Sequence, residues 1–184
     1  MTNGDGQLYS LIGFLPGALG EYLDSVRQQL VPGCPFRSHV TILPPRLLAG
    51  APGDLAADLA GRLQGVEALD IGVGEVGVFP ATNVIYLEIG SGREALHRTH
   101  DQLCRGLFSS AEPYPFEPHI TLAQEFPAAR LDELLVRATA LWKEWKHERG
   151  FLLERLSFVR GVDLTSWESV SELELNHSQV RKTA

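Results

Sequence analysis

Cysteine and long apolar runs are both scarce in this 184-residue sequence. Two cysteines, Cys34 and Cys104, are too few for a disulfide framework, and we expect Cys34 to be a small buried side chain and not a nucleophile. No segment approaches the roughly 20 apolar residues of a membrane span, and the first residues lack the pattern of a signal peptide. We therefore expect a cytoplasmic protein with reduced thiols and no membrane partner.

Basic residues are also in the minority, with 16 Lys and Arg against 23 Asp and Glu and a net charge of −7. Proteins that coat nucleic acid usually carry a basic stripe and a high isoelectric point. No such stripe is visible in this sequence. If the substrate is RNA, we expect the protein to hold one or two nucleotides at an end and not to cover a duplex.

The sequence shows no complete set of metal ligands. His97 and His100 are adjacent on the surface of a predicted helix, but no Cys or His cluster supplies the further ligands that zinc needs. We expect this pair to be a solvated helix face. The sequence therefore predicts neither a metal nor another cofactor, and it shows no obligate protein partner.

A near-repeat is the most informative pattern that is present. Residues 35–42 read Pro-Phe-Arg-Ser-His-Val-Thr-Ile, and residues 115–122 read Pro-Phe-Glu-Pro-His-Ile-Thr-Leu. In an extended strand, residues i and i+2 point to the same face, so each copy offers an imidazole beside a hydroxyl while its apolar residues face the core. Composition alone makes two such apolar-spaced matches improbable. The four polar positions are His39, Thr41, His119 and Thr121.

The repeat continues in the order of predicted elements. Each half follows the order strand, helix, His-x-Thr strand, helix, strand, and the four helices are predicted over 18–30, 55–63, 93–107 and 131–145. This order predicts an α+β fold made of two pseudo-symmetric lobes, each a small antiparallel sheet with outer helices and the active-site cleft between them. We expect a single bilobal domain over 1–184 with lobes at 7–80 and 81–176, and exchange of strands between them is left open.

Two imidazoles in one cleft can perform phosphodiester chemistry without a metal. Opening a 2′,3′-cyclic phosphate requires a water to lose a proton on one side of phosphorus and the leaving ribose oxygen to gain one on the other. An unperturbed pKa of about 6.5 allows one imidazole to be neutral and the other charged near neutral pH. The threonine hydroxyls can donate to the non-bridging phosphate oxygens, where negative charge accumulates.

Two His-x-Thr motifs about 80 residues apart in a two-lobed chain of this size resemble the 2H phosphoesterase superfamily, which includes 2′-5′ RNA ligase-like proteins and cyclic nucleotide phosphodiesterases. The resemblance implies that His39 and His119 are the catalytic acid and base, and that Thr41 and Thr121 bind phosphate. It also implies a 2′,3′-cyclic phosphodiesterase that acts on an RNA terminus or a nucleotide, with reversible 2′-5′ RNA joining as a second activity. Which histidine starts as the base stays open.

The chain departs from the superfamily pattern after the second motif. Gln124 stands where relatives often carry a basic residue, so one phosphate-directed cation is either absent or supplied from elsewhere. We take Arg46 and Arg160 as its candidates, with Arg37 as a further one. Phe126 and Phe116 are the candidates for stacking on a base.

Three alternatives remain open from the sequence. The chain could be a module that binds a nucleotide or RNA end without turnover, although binding alone does not need two titrating groups. It could be a metal-dependent hydrolase that uses the histidines as ligands. It could also act on a small non-RNA cyclic phosphate, since the motif recognises only the phosphate.

Overall fold

The structure is a computed structural model that describes residues 6–162 and 166–176. Within that part of the chain it contains eight β-strands and four α-helices. In chain order they are β1 (Gln7–Phe14), α1 (Gly17–Leu30), β2 (His39–Leu48), α2 (Pro52–Arg62), β3 (Leu69–Phe79), β4 (Val84–Ile89), α3 (Arg93–Leu103), β5 (His119–Ala123), α4 (Leu131–Glu144), β6 (Gly150–Leu153), β7 (Arg155–Gly161) and β8 (Trp167–Glu174).

These strands form one sheet in the order β6-β3-β4-β5-β2-β1-β7-β8, and every neighbouring pair is antiparallel. The two strands that carry the His-x-Thr motifs, β2 and β5, are neighbours at the centre. The predicted α+β class and the predicted order of elements in each half are confirmed. The sheet therefore places the two copies of the repeat side by side.

Strands from both halves of the sequence contribute to each side of the sheet. β3 follows α2 in the first half but pairs with β4, whereas β7 and β8 from the end of the chain lie beside β1. Two contacts between distant parts of the sheet show that it is curled. An isolated bridge joins Glu67 to Asn176, and Leu153 of β6 packs over Gly13 of β1. A Cβ at Gly13 would lie 2.4 Å from Leu153 Cδ1, so any larger residue here would require the Leu153 side chain to shift. The division into lobes at 7–80 and 81–176 stays a prediction.

The core lies between the sheet and one apolar stripe of each helix. Residues that recur every three or four positions face the sheet on these helices, as the sequence pattern predicts. The buried members in α1 are Leu19, Leu23, Val26 and Leu30, and those in α4 are Leu134, Ala138 and Trp142. In the central strand β2, Val40 and Ile42 are fully buried, which turns the polar motif residues to the opposite face.

Two helix ends differ from the sequence prediction by more than one residue. α3 ends at Leu103 and not at residue 107, because Gly106 has a φ of +59° and begins a short 3₁₀ turn, Gly106–Phe108. α2 begins at Pro52, three residues earlier than predicted, since the first turn of a helix accepts a proline. Across the described residues, we find no helix long and apolar enough to cross a membrane.

Candidate active site

The two motifs meet at the centre of the sheet. Val40 of β2 pairs with Ile120 of β5, and both side chains are fully buried. Because neighbouring residues of a strand point to opposite faces, the residues on either side of this pair point away from the core. These residues are His39, Thr41, His119 and Thr121, and all four line one cavity. The structure thus brings the four predicted motif residues together.

Each histidine ring is held in the same way by the backbone two residues before it. Nδ1 of His39 lies 2.7 Å from the carbonyl oxygen of Arg37, and Nδ1 of His119 lies 2.7 Å from the carbonyl oxygen of Glu117. A carbonyl oxygen can only accept, so Nδ1 of each ring donates. In the neutral ring this leaves Nε2 without a proton. Each Nε2 can therefore accept a proton, or donate one when the ring is charged.

The threonine hydroxyls remain available to a ligand. Thr41 and Thr121 are half-buried and line the cavity. Within residues 6–162 and 166–176, neither side-chain hydroxyl makes a hydrogen bond. Two unpartnered hydroxyls beside two imidazoles can donate to the oxygens of a bound phosphate.

Burial is the main influence on the first histidine, and the pKa of His39 is lowered to about 4. The charges of Arg27 and His119 also lower it. The hydrogen bond to the Arg37 carbonyl and the carboxylate of Asp24 act in the opposite direction. The net result is an imidazole that is neutral at physiological pH and able to act as a base.

The second histidine has a different balance of charges. Burial lowers the pKa of His119, but the Glu117 carbonyl and the Glu117 carboxylate both raise it. That carboxylate also forms an ion pair with Arg93 of α3, with 2.5 Å between Oε2 and Nη2. The charge that acts on His119 is thus a carboxylate, whereas His39 has both a buried cation, Arg27, and a carboxylate, Asp24, nearby.

A cavity of about 690 Å³ opens above the four motif side chains. The ring of Trp167 lies 6.1 Å from that of His39, and the ring of Phe79 lies 4.9 Å from that of His119. Aromatic faces of this kind suit the stacking of a nucleobase. The aromatic residues of the cavity wall are Phe36, Phe79, Tyr114, Phe116 and Trp167.

Arg27 of α1 is a site residue that the sequence reasoning missed. Its side chain is 1% exposed, lines the cavity, and donates to the Thr121 carbonyl oxygen and, at 3.3 Å, to Cys34 Sγ. Nε of this guanidinium has no partner among the described residues. The sequence did contain a sign of this role. Arg27 lies four residues after Leu23 and three before Leu30 on the apolar stripe of the helix, where burying a charge costs free energy unless the charge is hydrogen-bonded or paired.

Arg46 and Arg160 occupy different environments. Arg46 is 4% exposed in the cavity wall, donates to the Phe108 carbonyl and pairs with Glu112 at 2.8 Å. Arg160 pairs with Glu168 and is not among the residues that line the cavity. Both guanidinium groups therefore already have acidic partners. Phosphate binding by either residue stays a prediction.

The two phenylalanines proposed to stack on a base also differ in place. Phe116 lines the cavity, and its ring is stacked on that of His100 with 3.8 Å between centroids. Phe126 is partly buried against the core and is not among the lining residues. Base stacking by either ring stays a prediction. Phe79 and Trp167 are closer to the motif histidines, and the linear sequence gave no sign of that proximity.

The prediction of a solvated helix face is wrong for His100. Its side chain is buried, and its Nδ1 donates to the Ile42 carbonyl at 2.8 Å. Ligand atoms of His100, Cys104 and Glu112 lie within 4.8 Å of one another. Arg46 lies in the same cluster, 3.2 Å from Cys104 Sγ and 2.8 Å from Glu112. This guanidinium already balances the carboxylate that would help to hold a metal there.

Comparison with known proteins agrees with this geometry. The model of the 2′-5′ RNA ligase superfamily matches residues 19–163. A "Putative phosphoesterase" of Geobacillus kaustophilus is 28% identical over 130 residues, which cover 66% of this chain and 71% of that protein.

Solved structures of E. coli LigT have a similar fold. In its apo form the TM-score is 0.63 with 16% identity, covering 94% of this chain and 99% of LigT. For the complex with 3′-AMP the TM-score is 0.62 with 13% identity, covering 94% of this chain and all of LigT. The chain belongs to the 2′-5′ RNA ligase superfamily of 2H phosphoesterases.

Proposed function

We propose that this protein hydrolyses 2′,3′-cyclic phosphates, on mononucleotides or at RNA ends, with His39 and His119 as its acid and base. The observation that carries the proposal is the central β2–β5 pair, which sets two imidazoles and two threonine hydroxyls in one cavity; neither hydroxyl has a partner in the part of the chain that the structure describes. Both rings present Nε2 in the same way, because Nδ1 of each is bonded to a backbone carbonyl. Such a pair can take one proton and supply another within a single displacement at phosphorus.

The reaction follows from this geometry in one balanced step. Nε2 of the neutral ring takes a proton from water as the water oxygen bonds to phosphorus. The bond from phosphorus to one ribose oxygen breaks, and Nε2 of the charged ring gives that oxygen its proton. Each positioned acid or base contributes about 10²–10⁴-fold to the rate. Hydroxyl donors from Thr41 and Thr121 stabilise the charge that grows on the non-bridging oxygens.

Several features favour a small or terminal substrate. The cavity of about 690 Å³ is within the range of sites for small molecules and cofactors. Its two arginines, Arg27 and Arg46, have bonds within the protein, and the chain as a whole has a net charge of −7. This charge balance suits one phosphodiester better than a long polyanion. E. coli LigT, which has a similar fold, has been solved with the nucleoside monophosphate 3′-AMP, and this supports a nucleotide as the substrate.

Reversible 2′-5′ joining of RNA ends is a second candidate, and membership of the 2′-5′ RNA ligase superfamily favours it. The same two histidines would act, with the cyclic phosphate as the activated group and a ribose hydroxyl in place of water. A small non-RNA cyclic phosphate is a further candidate, because the proposed roles of the motif side chains involve the cyclic phosphodiester and the attacking water and do not involve a base. Binding without turnover is the non-enzymatic alternative.

The proposal is tested by following ring opening with phosphorus NMR. The purified protein is incubated in EDTA with a 2′,3′-cyclic mononucleotide and, separately, with a short RNA that ends in a cyclic phosphate. We expect turnover, and we expect His39→Ala and His119→Ala to lower it by at least about 10²-fold each. The position of the product phosphate identifies the oxygen that leaves.

His147→Ala is the matched control, because His147 is exposed and lies outside the cavity lining. It should retain the wild-type rate. Turnover that survives either motif substitution would contradict the assigned site. Activity that disappears in EDTA would favour the metal-dependent alternative, and binding without any turnover would favour the binding module.

A further inference from the structure

A cluster of coordinating side chains to which the two motifs contribute nothing lies beside the cavity. His100 of α3, Cys104 directly after that helix and Glu112 of the loop before β5 bring their ligand atoms to within 4.8 Å of one another. In the part of the chain that the structure describes, no other three His, Cys, Asp or Glu side chains converge in this way. We propose that this cluster binds one zinc ion, with a water molecule as the fourth ligand.

The set of donor atoms suits zinc. Imidazole nitrogen, thiolate sulfur and carboxylate oxygen are the ligands that proteins use for this ion, and they surround it as a tetrahedron in which neighbouring ligand atoms lie roughly 3.4–3.6 Å apart. Nε2 of His100 lies 3.8 Å from Oε1 of Glu112, and Sγ of Cys104 lies no farther than 4.8 Å from the ligand atoms of the other two. The cluster therefore needs to contract by roughly 1 Å to hold the ion.

His100 is held in the orientation that a ligand histidine needs. Its Nδ1 donates to the Ile42 carbonyl at 2.8 Å, so Nε2 of the neutral ring carries a lone pair. Histidines that bind metals usually make such a bond with the other ring nitrogen, because it fixes the tautomer and the plane of the ring. The ring of Phe116 stacks on the imidazole with 3.8 Å between centroids. Nε2 is thus directed towards Glu112 before any ion binds.

Cys104 shares a helix face with His100. The backbone N–H of Cys104 donates to the His100 carbonyl at 2.8 Å, so the helical spacing continues to this residue. Side chains four residues apart are neighbours on a helix surface. The thiolate is the form of cysteine that binds metals, so coordination releases the thiol proton to solvent as the bond from sulfur to zinc forms.

Arg46 is the cation with which zinc must compete. Its Nη2 lies 2.8 Å from Glu112, and its Nη1 lies 3.2 Å from Cys104 Sγ. The guanidinium also donates from Nε to the Pro44 carbonyl at 3.0 Å and from Nη1 to the Phe108 carbonyl. These two backbone bonds can hold Arg46 in place when Glu112 turns to the ion. Because like charges repel, Arg46 should weaken zinc binding without preventing it.

The cavity offers the ion a path to the cluster, since Arg46, Glu112 and Phe116 all line it. The sequence alone could not reveal the site. His97 is the nearest histidine along the chain, but the fold combines His100 with Cys104 and with a carboxylate twelve residues away. The proposed hydrolysis uses none of these three ligands, so the two proposals stand or fall separately.

The site is tested with Co²⁺, which replaces zinc in such sites and reports a bond to thiolate through a charge-transfer band in the near ultraviolet. The untagged, reduced full-length protein is freed of metal and titrated with Co²⁺ and then with Zn²⁺. We expect one equivalent of Co²⁺ to produce the band and one equivalent of Zn²⁺ to remove it. Cys104→Ser should abolish the band. His100→Gln and Glu112→Gln should each weaken Co²⁺ binding at least about tenfold, since even the loss of an outer partner does so.

His97→Gln and Cys34→Ser are the matched controls. His97 lies on the same helix and its ring contacts that of Phe116, with 5.4 Å between centroids, but it is outside the cluster. Cys34 also has a buried guanidinium beside it, with 3.3 Å between its Sγ and Nη2 of Arg27. Both controls should bind Co²⁺ as the wild type does. Absence of the band in the wild type, or its persistence in Cys104→Ser, would overturn the inference.

Thermal unfolding supplies a readout that does not depend on the spectrum. An ion that binds the folded chain raises its unfolding midpoint. We expect Zn²⁺ to raise the midpoint of the wild type and of His97→Gln but not that of Cys104→Ser, and an equal rise in all three would refute the site.

The competition with Arg46 is tested with Arg46→Met, which should bind Co²⁺ on the order of tenfold more tightly because a neighbouring positive charge is lost. Unchanged or weaker binding would contradict the place given to Arg46. If this variant does not fold, Glu112→Gln still tests the site, because its amide oxygen can accept from Arg46 while the ligand charge is lost. Hydrolysis in EDTA does not require the ion, so failure of this site would leave the proposed function intact.

Discussion

The first and second motif strands, β2 and β5, are built alike but lie in different surroundings. In both, a histidine donates from Nδ1 to the carbonyl two residues before it, and the threonine two residues after it has a hydroxyl without a partner among residues 6–162 and 166–176. Across the neighbouring strand, however, His39 faces Phe14 and His119 faces Glu88. The short repeat determines how each ring is held, and the elements packed around it determine its charge.

The helices on either side also connect the two halves. Arg27 of α1 donates to the carbonyl of Thr121 in β5, and His100 of α3 donates to the carbonyl of Ile42 in β2. Each helix therefore holds the motif strand of the opposite half through a buried polar side chain. Burial of such a group is favourable only while its bond is made, so these contacts help to fix the register of the central strands.

The largest expected effect is a loss of kcat when the hydroxyl of either motif threonine is removed, and it compares the two motifs directly. Thr41→Val and Thr121→Val keep the branched shape but remove the hydroxyl. If both hydroxyls bind phosphate in the transition state, each substitution should lower kcat by about 10²–10³-fold, as loss of one preorganised donor does. Steady-state kinetics on a 2′,3′-cyclic mononucleotide measures this, and unequal losses would show which half binds the phosphate more strongly.

Thr139→Val is the control for these substitutions. Thr139 is half-buried on α4, where its hydroxyl donates to the Leu135 carbonyl within the helix, and it does not line the cavity. It should leave kcat unchanged. A motif threonine that behaves like this control would not be a phosphate ligand, and its side of the cavity would need another donor.

Most of the fold and the centre of the site were predictable from local sequence patterns. Alternating apolar residues in the repeat indicated two strands whose polar residues share a face, and the structure places all four motif residues in one cavity. Strand pairing between distant segments was not predictable, because β3 and β7 join the sheet beside strands of the other half. Arg27 and Trp167 reach the cavity only through that tertiary arrangement.

A second, smaller effect compares the two arginines that the sequence offered as phosphate ligands. Arg46→Met removes a side chain that is 2% exposed and leaves Glu112 without the guanidinium at 2.8 Å, with His100 Nε2 3.8 Å from its carboxylate. Breaking such a buried pair should lower the free energy of unfolding by about 3 kcal/mol, measured by urea denaturation. Arg160→Met breaks a solvent-exposed pair with Glu168 and should change the free energy of unfolding much less. Equal losses would contradict the structural role assigned to Arg46.

The smallest expected effect is on the pH dependence of the free energy of unfolding, which should differ between variants of the two histidines. His39 has a pKa of about 4 in the folded protein and about 6.5 when unfolded, so below pH 6.5 the unfolded chain binds the extra proton. Stability should therefore fall by about 2 kcal/mol between pH 7 and pH 5, and His39→Gln should abolish that part of the fall. His119→Gln should abolish less, because the Glu117 carboxylate opposes the shift there. Urea denaturation at both pH values, with His147→Gln as the exposed control, would contradict the comparison if the two motif variants behaved identically.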